Sequence, residues 1–200
     1  MLLDHFDNTT IKQLLTQKPL YVFALENEAT HEFTDTNPLF VGVGKLNAMY
    51  NLMKRIHEDK PGIIINLGSA GSLTHQRGDV VCCTSFVQRD MDVTPLGFKK
   101  YETPYASHHH VLANGLKIEG MAEGICGTGD NFVTNHDTTD YNVIDMEAYP
   151  LAWVALQENI PFLCLKYISD GADGAAAEDW PETVKHAAAA LKGAMHSLRF

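Results

Sequence analysis

Apolar positions along the chain follow two rhythms. Short runs bounded by turn-forming residues, at Leu20–Leu25, Leu39–Val43, Gly62–Leu67, Val80–Val87, Ala122–Cys126 and Phe162–Ile168, have the length and composition of strands. Between them, apolar residues recur at helical spacing. Leu46, Met49, Tyr50, Met53 and Ile56 obey the i, i+3, i+4, i+7 rule, and Pro61-Gly62 stops that helix. A second helix is expected from about Glu147 to Asn159, since Pro150 falls in a first turn whose N–H groups lack intrahelical partners anyway. A third is expected from Pro181, after Asp179 and Trp180, burying Val184, Ala188, Leu191 and Met195. Asn8-Thr9-Thr10 ahead of Ile11, Leu14 and Leu15 reads as a short capped helix. Strands alternating with helices predict an α/β fold. No linker or internal repeat divides the chain, so residues 1–19 read as a helical extension and residues 20–200 as one domain.

Composition narrows the functional classes. The 200 residues carry 15 Lys and Arg against 25 Asp and Glu, a net charge of −10, and the longest basic cluster is Lys99-Lys100. Such a surface repels polyphosphate backbones, which excludes nucleic acid as an expected partner. No apolar run approaches the ~20 residues of a bilayer span. Asp4, His5, Asp7 and Asn8 interrupt the amino terminus where a leader peptide would be apolar, so a cytoplasmic protein without membrane contact is expected. Cys82, Cys83, Cys126 and Cys164 lack Cys-x-x-Cys spacing and sit in apolar runs, the pattern of buried thiols.

Several local patterns carry little by themselves. Gly42-Val43-Gly44-Lys45 lacks the third glycine of a dinucleotide fingerprint, where Asn47 stands, and the Ser or Thr of a P-loop, where Leu46 stands. It is either a tight strand-to-helix turn or a turn that also approaches a ligand. His108-His109-His110 cannot direct three successive side chains at one ion, and a solvated loop is expected there, with no metal.

Three segments in order are far more specific: Asn66-Leu67-Gly68-Ser69-Ala70-Gly71, Ile144-Asp145-Met146-Glu147-Ala148 and Ile168-Ser169-Asp170-Gly171-Ala172-Asp173. Together they resemble the nucleoside phosphorylase and nucleosidase family, and most closely its bacterial methylthioadenosine/S-adenosylhomocysteine nucleosidases. The resemblance implies a single-domain α/β/α sandwich with a central mixed sheet. It further implies a homodimer, no cofactor, and hydrolysis of the N-glycosidic bond of an adenine nucleoside to adenine and a thioribose, a step of methionine salvage. It makes Asp170 the acid that protonates N7 of adenine, because an adenine anion leaves poorly until it receives a proton. By the same resemblance Glu147 and Met146 hold ribose, and Glu28 activates water, with Glu26 the alternative if the register slips by two. Ser69 and Lys166 assist Glu28. Ser169 supports base recognition, and Phe132 and Val133, in Gly129-Asp130-Asn131-Phe132-Val133, stack on adenine and read its edge.

The 5′ pocket is implied by Asp92-Val93-Thr94-Pro95-Leu96-Gly97-Phe98, with Val93, Leu96, Phe98, Pro104 and Trp180 as its lining, partly across a dimer interface. Two departures stand out. Lys166 occupies the position of a family arginine, keeping the charge without the planar fork, and the stretch from Thr30 to Pro38 is shorter than usual. Two alternatives stay open, a purine nucleoside phosphorylase and a nucleoside-binding relative without turnover. Glu26 and Glu28, with no nearby arginine, disfavour phosphate.

Overall fold

The computed structural model describes residues 8–173 and 176–198, apart from the side chains at 177–179, 181 and 182. Its strands form one mixed sheet. β1 (Pro19–Phe23) runs parallel to both β2 (Leu39–Phe40) and β3 (Ile63–Gly71), and β3 runs parallel to β8 (Phe162–Asp170). β8 is antiparallel to β4 (Val80–Gln88), which pairs antiparallel with β5 (Val111–Leu112) and parallel with β6 (Glu123–Thr128). β6 runs parallel to β7 (Val143–Asp145), which returns antiparallel to the end of β3 through Gly71 and Ile144. The strands β3, β8, β4, β6 and β7 therefore close a ring, from which β1 and β2 extend.

The apolar runs of β3 and β8 are unbroken because both faces of these strands are covered. Alternate residues feed two cores: Ile64, Phe162, Cys164 and Ile168 enter one, and Ile63, Ile65, Leu67, Leu163 and Leu165 the other. The first is closed by α3 (Lys45–Glu58) and α4 (Ala148–Gln157) through Ala48, Leu52, Ile56, Leu151 and Val154. The second is closed by α1 (Asn8–Leu14), a 3₁₀ segment at Thr30–Thr36 and α5 (Ala176–Ser197), through Ile11, Phe33, Ala187, Leu191 and Met195. Helices thus flank a mixed sheet, as the sequence implies. All four cysteines are buried and unpaired. Burial pushes Cys82 up to about 12 and Cys126 to about 11, so both remain thiols at neutral pH.

Several expectations are corrected. On α3 the buried face is Ala48, Leu52 and Ile56, whereas Leu46 and Tyr50 are 82% and 69% exposed. The helix is apolar on two sides, and periodicity does not tell which one meets the sheet. Helix α5 starts at Ala176, ahead of the expected Pro181, because the Ala176 N–H already closes a turn on the Asp173 carbonyl at 3.1 Å. Asp179 and Pro181 fall in α5 with their side chains outside the described residues, as does the whole of 1–7 in the expected extension. The Asn8 side chain accepts the Glu119 N–H at 3.1 Å, tying α1 to a distant loop. β7 escapes the sequence reading because three residues inside a polar stretch show no period. After β1 the chain folds as α2 (Glu26–Ala29), and the stretch from Thr30 then forms the 3₁₀ segment, whose Phe33 packs edge-on against Phe23 at 5.0 Å.

Lys166 is a cation in the middle of β8, buried beside Asp145 at the end of β7, with 2.8 Å between Nζ and Oδ2. Asp145 also accepts the Thr128 hydroxyl at 2.6 Å and the Ala148 N–H at 2.8 Å. Burial opposes both charges, but their mutual attraction wins: Asp145 is held below and Lys166 well above the ordinary range. Removing one partner strands the other charge in a dry interior. Lys166→Met is expected to destabilise the fold by about 3–5 kcal/mol in urea or guanidinium denaturation, and a loss below about 1 kcal/mol would contradict this account.

Candidate active site

A cavity of about 240 Å³ opens where β1, β3, β7 and β8 reach their carboxyl ends. This is the usual ligand side of such sheets, because loops and backbone N–H groups converge there. Glu28, Glu147 and Asp170, from separate elements, line it together with Asp145, the partner of Lys166, and all four are almost fully buried.

Glu28 sits on α2, directly after β1. Its Oε2 accepts the Leu25 N–H at 3.1 Å, folding the side chain back over the start of its own helix. Its Oε1 accepts from both the N–H and the hydroxyl of Ser69, at 2.8 and 2.7 Å, and the Trp180 indole N–H donates to the same Ser69 oxygen at 2.9 Å. The approach is close at Gly68, where an added Cβ would stand 3.1 Å from Glu28 Oε1 and press on the carboxylate. Glu26 is exposed, so the alternative register fails: the segment is helical, and residues two apart on a helix face different ways.

Asp170 ends β8. Its Oδ2 accepts the Ser169 hydroxyl at 2.9 Å and its Oδ1 the Ala172 N–H at 2.9 Å, which aims the carboxyl into the cavity mouth beside Gly71. A Cβ at Gly71 would stand 2.6 Å from Oδ1, so glycine is required there. Ser169 itself lies behind the cavity wall, holding Asp170 from below.

Glu147 precedes α4 without bonding to it through its side chain, which reaches instead to the start of α3, where its Oε1 accepts the Gly44 N–H at 2.8 Å. Gly44 holds a φ of +91°, a conformation that presents its N–H inward and suits glycine alone. Burial, reinforced by the negative Asp145, pushes Glu147 up to about 8, although Lys166 and the Gly44 N–H pull it back. Met146, Phe132, Val133 and Trp180 complete the apolar lining. Phe132 is half exposed.

The structure therefore brings together Glu28, Ser69, Phe132, Val133, Met146, Glu147, Asp170 and Trp180 around one cavity. It does not bring Lys166 there. Its ammonium is spent on Asp145, and no bond to Glu28 or Ser69 forms, so direct help in placing water is replaced by a charge felt through Asp145 and Glu147. Val93, Leu96, Phe98 and Pro104 also stand outside the cavity of a single chain; Leu96 is 73% exposed and Phe98 stacks edge-on with Tyr105 at 5.5 Å. Val43 and Arg89 line the cavity without having been singled out as site residues. The Gly42-Val43-Gly44 turn was the signal for Val43, and it proves to be the turn that approaches the site. His108 turns to the Tyr149 hydroxyl at 3.1 Å while the rings of His109 and His110 lie together, so the three histidines do not converge. Among the described residues, no group of three His, Cys, Asp or Glu side chains is placed to hold a metal ion, and no helix is long and apolar enough to cross a membrane.

Comparison with known proteins identifies the family and the fold. Residues 38–198 match the family model described as the phosphorylase superfamily. A 5′-methylthioadenosine/S-adenosylhomocysteine nucleosidase from Haemophilus influenzae is 30% identical over 169 residues, covering 74% of this chain and 73% of its own. The corresponding enzyme of Anoxybacillus flavithermus is 29% identical over 64% of this chain, and the match spans about two thirds (65%) of that relative's length. Among solved structures, the Neisseria meningitidis nucleosidase in complex with methylthio-immucillin-A superposes with a TM-score of 0.78 at 25% identity, over 90% of this chain and 98% of that one. Futalosine hydrolase of Helicobacter pylori, 18% identical over 92% of this chain and 97% of its own, shares the fold with a TM-score of 0.80. The cavity, the sheet that builds it and the matched residues together place this chain in the phosphorylase superfamily.

Proposed function

We propose that the protein hydrolyses the N-glycosidic bond of an adenine nucleoside bearing a 5′ thioether, 5′-methylthioadenosine or S-adenosylhomocysteine, to adenine and a thioribose. The observation that carries this reading is the placement of Glu28, Glu147 and Asp170 around one cavity with an aromatic ring, Phe132, at its rim. Cleaving a ribosyl C–N bond needs a proton for the departing base, a nucleophile for the sugar carbon and negative charge near an oxocarbenium-like ribose. Asp170 gives its proton to N7 of adenine, oriented by Ser169 and the Ala172 N–H. Glu28, fixed by Ser69 and Leu25, takes the proton of the attacking water. Glu147 receives the ribose hydroxyls beside Met146, and Phe132 and Val133 hold the base. Among the described residues lining the cavity Arg89 alone is basic, and its guanidinium is engaged by Gly129 and Asn131, while the Glu28 carboxyl faces the cavity, which favours water over phosphate as nucleophile.

The family resemblance also carries a homodimer whose interface completes the 5′ pocket. Two exposed apolar surfaces support it: Leu46, Met49 and Tyr50, one strip along α3, and Leu96 with Tyr105 in the 93–105 loop. In this reading Val93, Leu96, Phe98 and Pro104 act across the interface, which accounts for their absence from the cavity of one chain. The four unpaired buried thiols fit a reducing compartment, hence a cytoplasmic location.

Incubation with 5′-methylthioadenosine in phosphate-free buffer is expected to release adenine; release only after phosphate is added would replace hydrolysis by phosphorolysis. Asp170→Asn is expected to slow release by about 10²–10⁴-fold while nucleoside binding remains measurable by calorimetry, and full activity would remove its role as acid. Glu147 takes up a proton on folding between its ordinary 4.5 and its raised value of about 8, so the folded state loses stability as pH rises through that window. Glu147→Gln is expected to flatten that loss in urea titrations across the window; an unchanged slope would show that Glu147 is ionised throughout.

A further inference from the structure

Phe132 is 48% exposed, so core packing does not fix the place of its ring. Its position comes from the backbone segment Gly129–Asn131 that leads to it, and two consecutive residues just beyond β4, Arg89 and Asp90, hold that segment. The Arg89 guanidinium donates to the Asn131 side-chain oxygen at 2.7 Å, to the Gly129 carbonyl at 3.2 Å and to the Asn131 carbonyl. It lies so close over Gly129 that a Cβ there would stand 2.8 Å from Cζ. Its Nε is buried without a hydrogen-bond partner, a donor given up to hold this geometry. Asp90 takes the other side, its Oδ2 accepting the Asp130 N–H at 2.9 Å and its Oδ1 the Lys45 ammonium at 2.6 Å. Asp130 in turn accepts the Lys45 N–H at 2.8 Å, and the residue before Lys45 is Gly44, whose N–H holds Glu147. One chain of charge-assisted bonds thus runs from the segment before Phe132 to the helix end that orients Glu147.

The geometry points to Arg89 and Asp90 as positioning residues that set the distance between the base-stacking ring and the ribose carboxyl. The inference rests on the proposed reading of the cavity as an adenine nucleoside site. Neither residue is required to touch the reacting atoms. They act on how well the base end is preformed, so they govern binding more than the chemical step. A guanidinium is suited to the task because its planar fork serves several acceptors at once, which an ammonium does not.

Arg89→Gln and Asp90→Asn are expected to raise KM for 5′-methylthioadenosine and the calorimetric Kd for free adenine by about tenfold, with kcat within about threefold of native and the melting temperature lowered by no more than about 5 °C. Arg89→Ala is expected to regain much of its lost affinity in dilute guanidinium chloride but not in sodium chloride of equal ionic strength, whereas Arg89→Lys stays impaired. Native KM and Kd in the variants would overturn the inference. So would a joint fall of kcat and melting temperature without guanidinium rescue, since that marks mere structural ties. Failure of the underlying reading shows in the native protein instead: if it binds adenine without cleaving nucleoside, hydrolysis is wrong and the adenine affinities still decide the clamp. If it does neither, the nucleoside site and the clamp fall together.

Discussion

The buried pair between Lys166 and Asp145 is the constraint on which the remaining geometry hangs. Lys166 stands in the central strand β8, where every residue is buried, and an uncompensated ammonium is not tolerated there. Its partner is fixed from two further directions by the Thr128 hydroxyl and the Ala148 N–H. The Tyr149 N–H also donates to Thr128, at 2.9 Å. The pair therefore locks β6, β7 and the first turn of α4 onto β8, and Glu147 lies at that locked corner. A buried ion pair adds little stability compared with apolar packing, but it tolerates only one arrangement of its neighbours. Here that arrangement is the one that delivers a carboxyl group to the cavity. The same cation keeps Glu147 from being pushed further up by its acidic neighbours.

Backbone N–H groups do most of the remaining work of aiming acids. Glu28 is held by Leu25 and Ser69, Glu147 by Gly44, and Asp170 by Ala172. Each of these donors belongs to a strand end or helix start, where N–H groups lack partners in regular structure. That is why the site forms at the carboxyl edge of the sheet, and why glycines recur around it: Gly68 and Gly71 leave room for Glu28 and Asp170, and Gly44 supplies its N–H from a conformation closed to side chains.

What was legible in the sequence follows from range. Runs such as Ile63–Leu67 and Phe162–Ile168 announce strands because burial on both faces leaves no polar position to confuse the pattern. Although β7, the strand ahead of Glu147, was not announced by its apolar pattern, Asp170, Glu147 and Glu28 were legible through the family resemblance of the short segments that hold them. Lys166 was not: its partner Asp145 is distant in sequence, so a cation expected beside water turned out to be committed elsewhere. Arg89 escaped for a similar reason, since its acceptors at Gly129 and Asn131 become neighbours only through the β4–β6 pairing. On α3 the rhythm was correct and the facing wrong, because the helix has two apolar sides and local spacing carries no information about which one the sheet covers.

That second apolar side bears on specificity. On the proposed reading, the groups that perform the reaction and recognise the base and ribose all come from one chain, and its three acids are buried and hydrogen-bonded. Of the residues implied for the 5′ substituent, Trp180 lines that cavity, whereas Val93, Leu96, Phe98 and Pro104 lie outside it, in a loop where apolar side chains such as Leu96 and Tyr105 remain exposed. Leu96 and Tyr105 cost free energy in that state unless another surface covers them. A second chain covering both that loop and the outer strip of α3 would bury them and close the 5′ end together. Chemistry would then be a property of the protomer and the choice of 5′ group a property of the assembly. Substitutions in the 93–105 loop could then alter which nucleoside is preferred without disturbing the acids held by β1, β7 and β8.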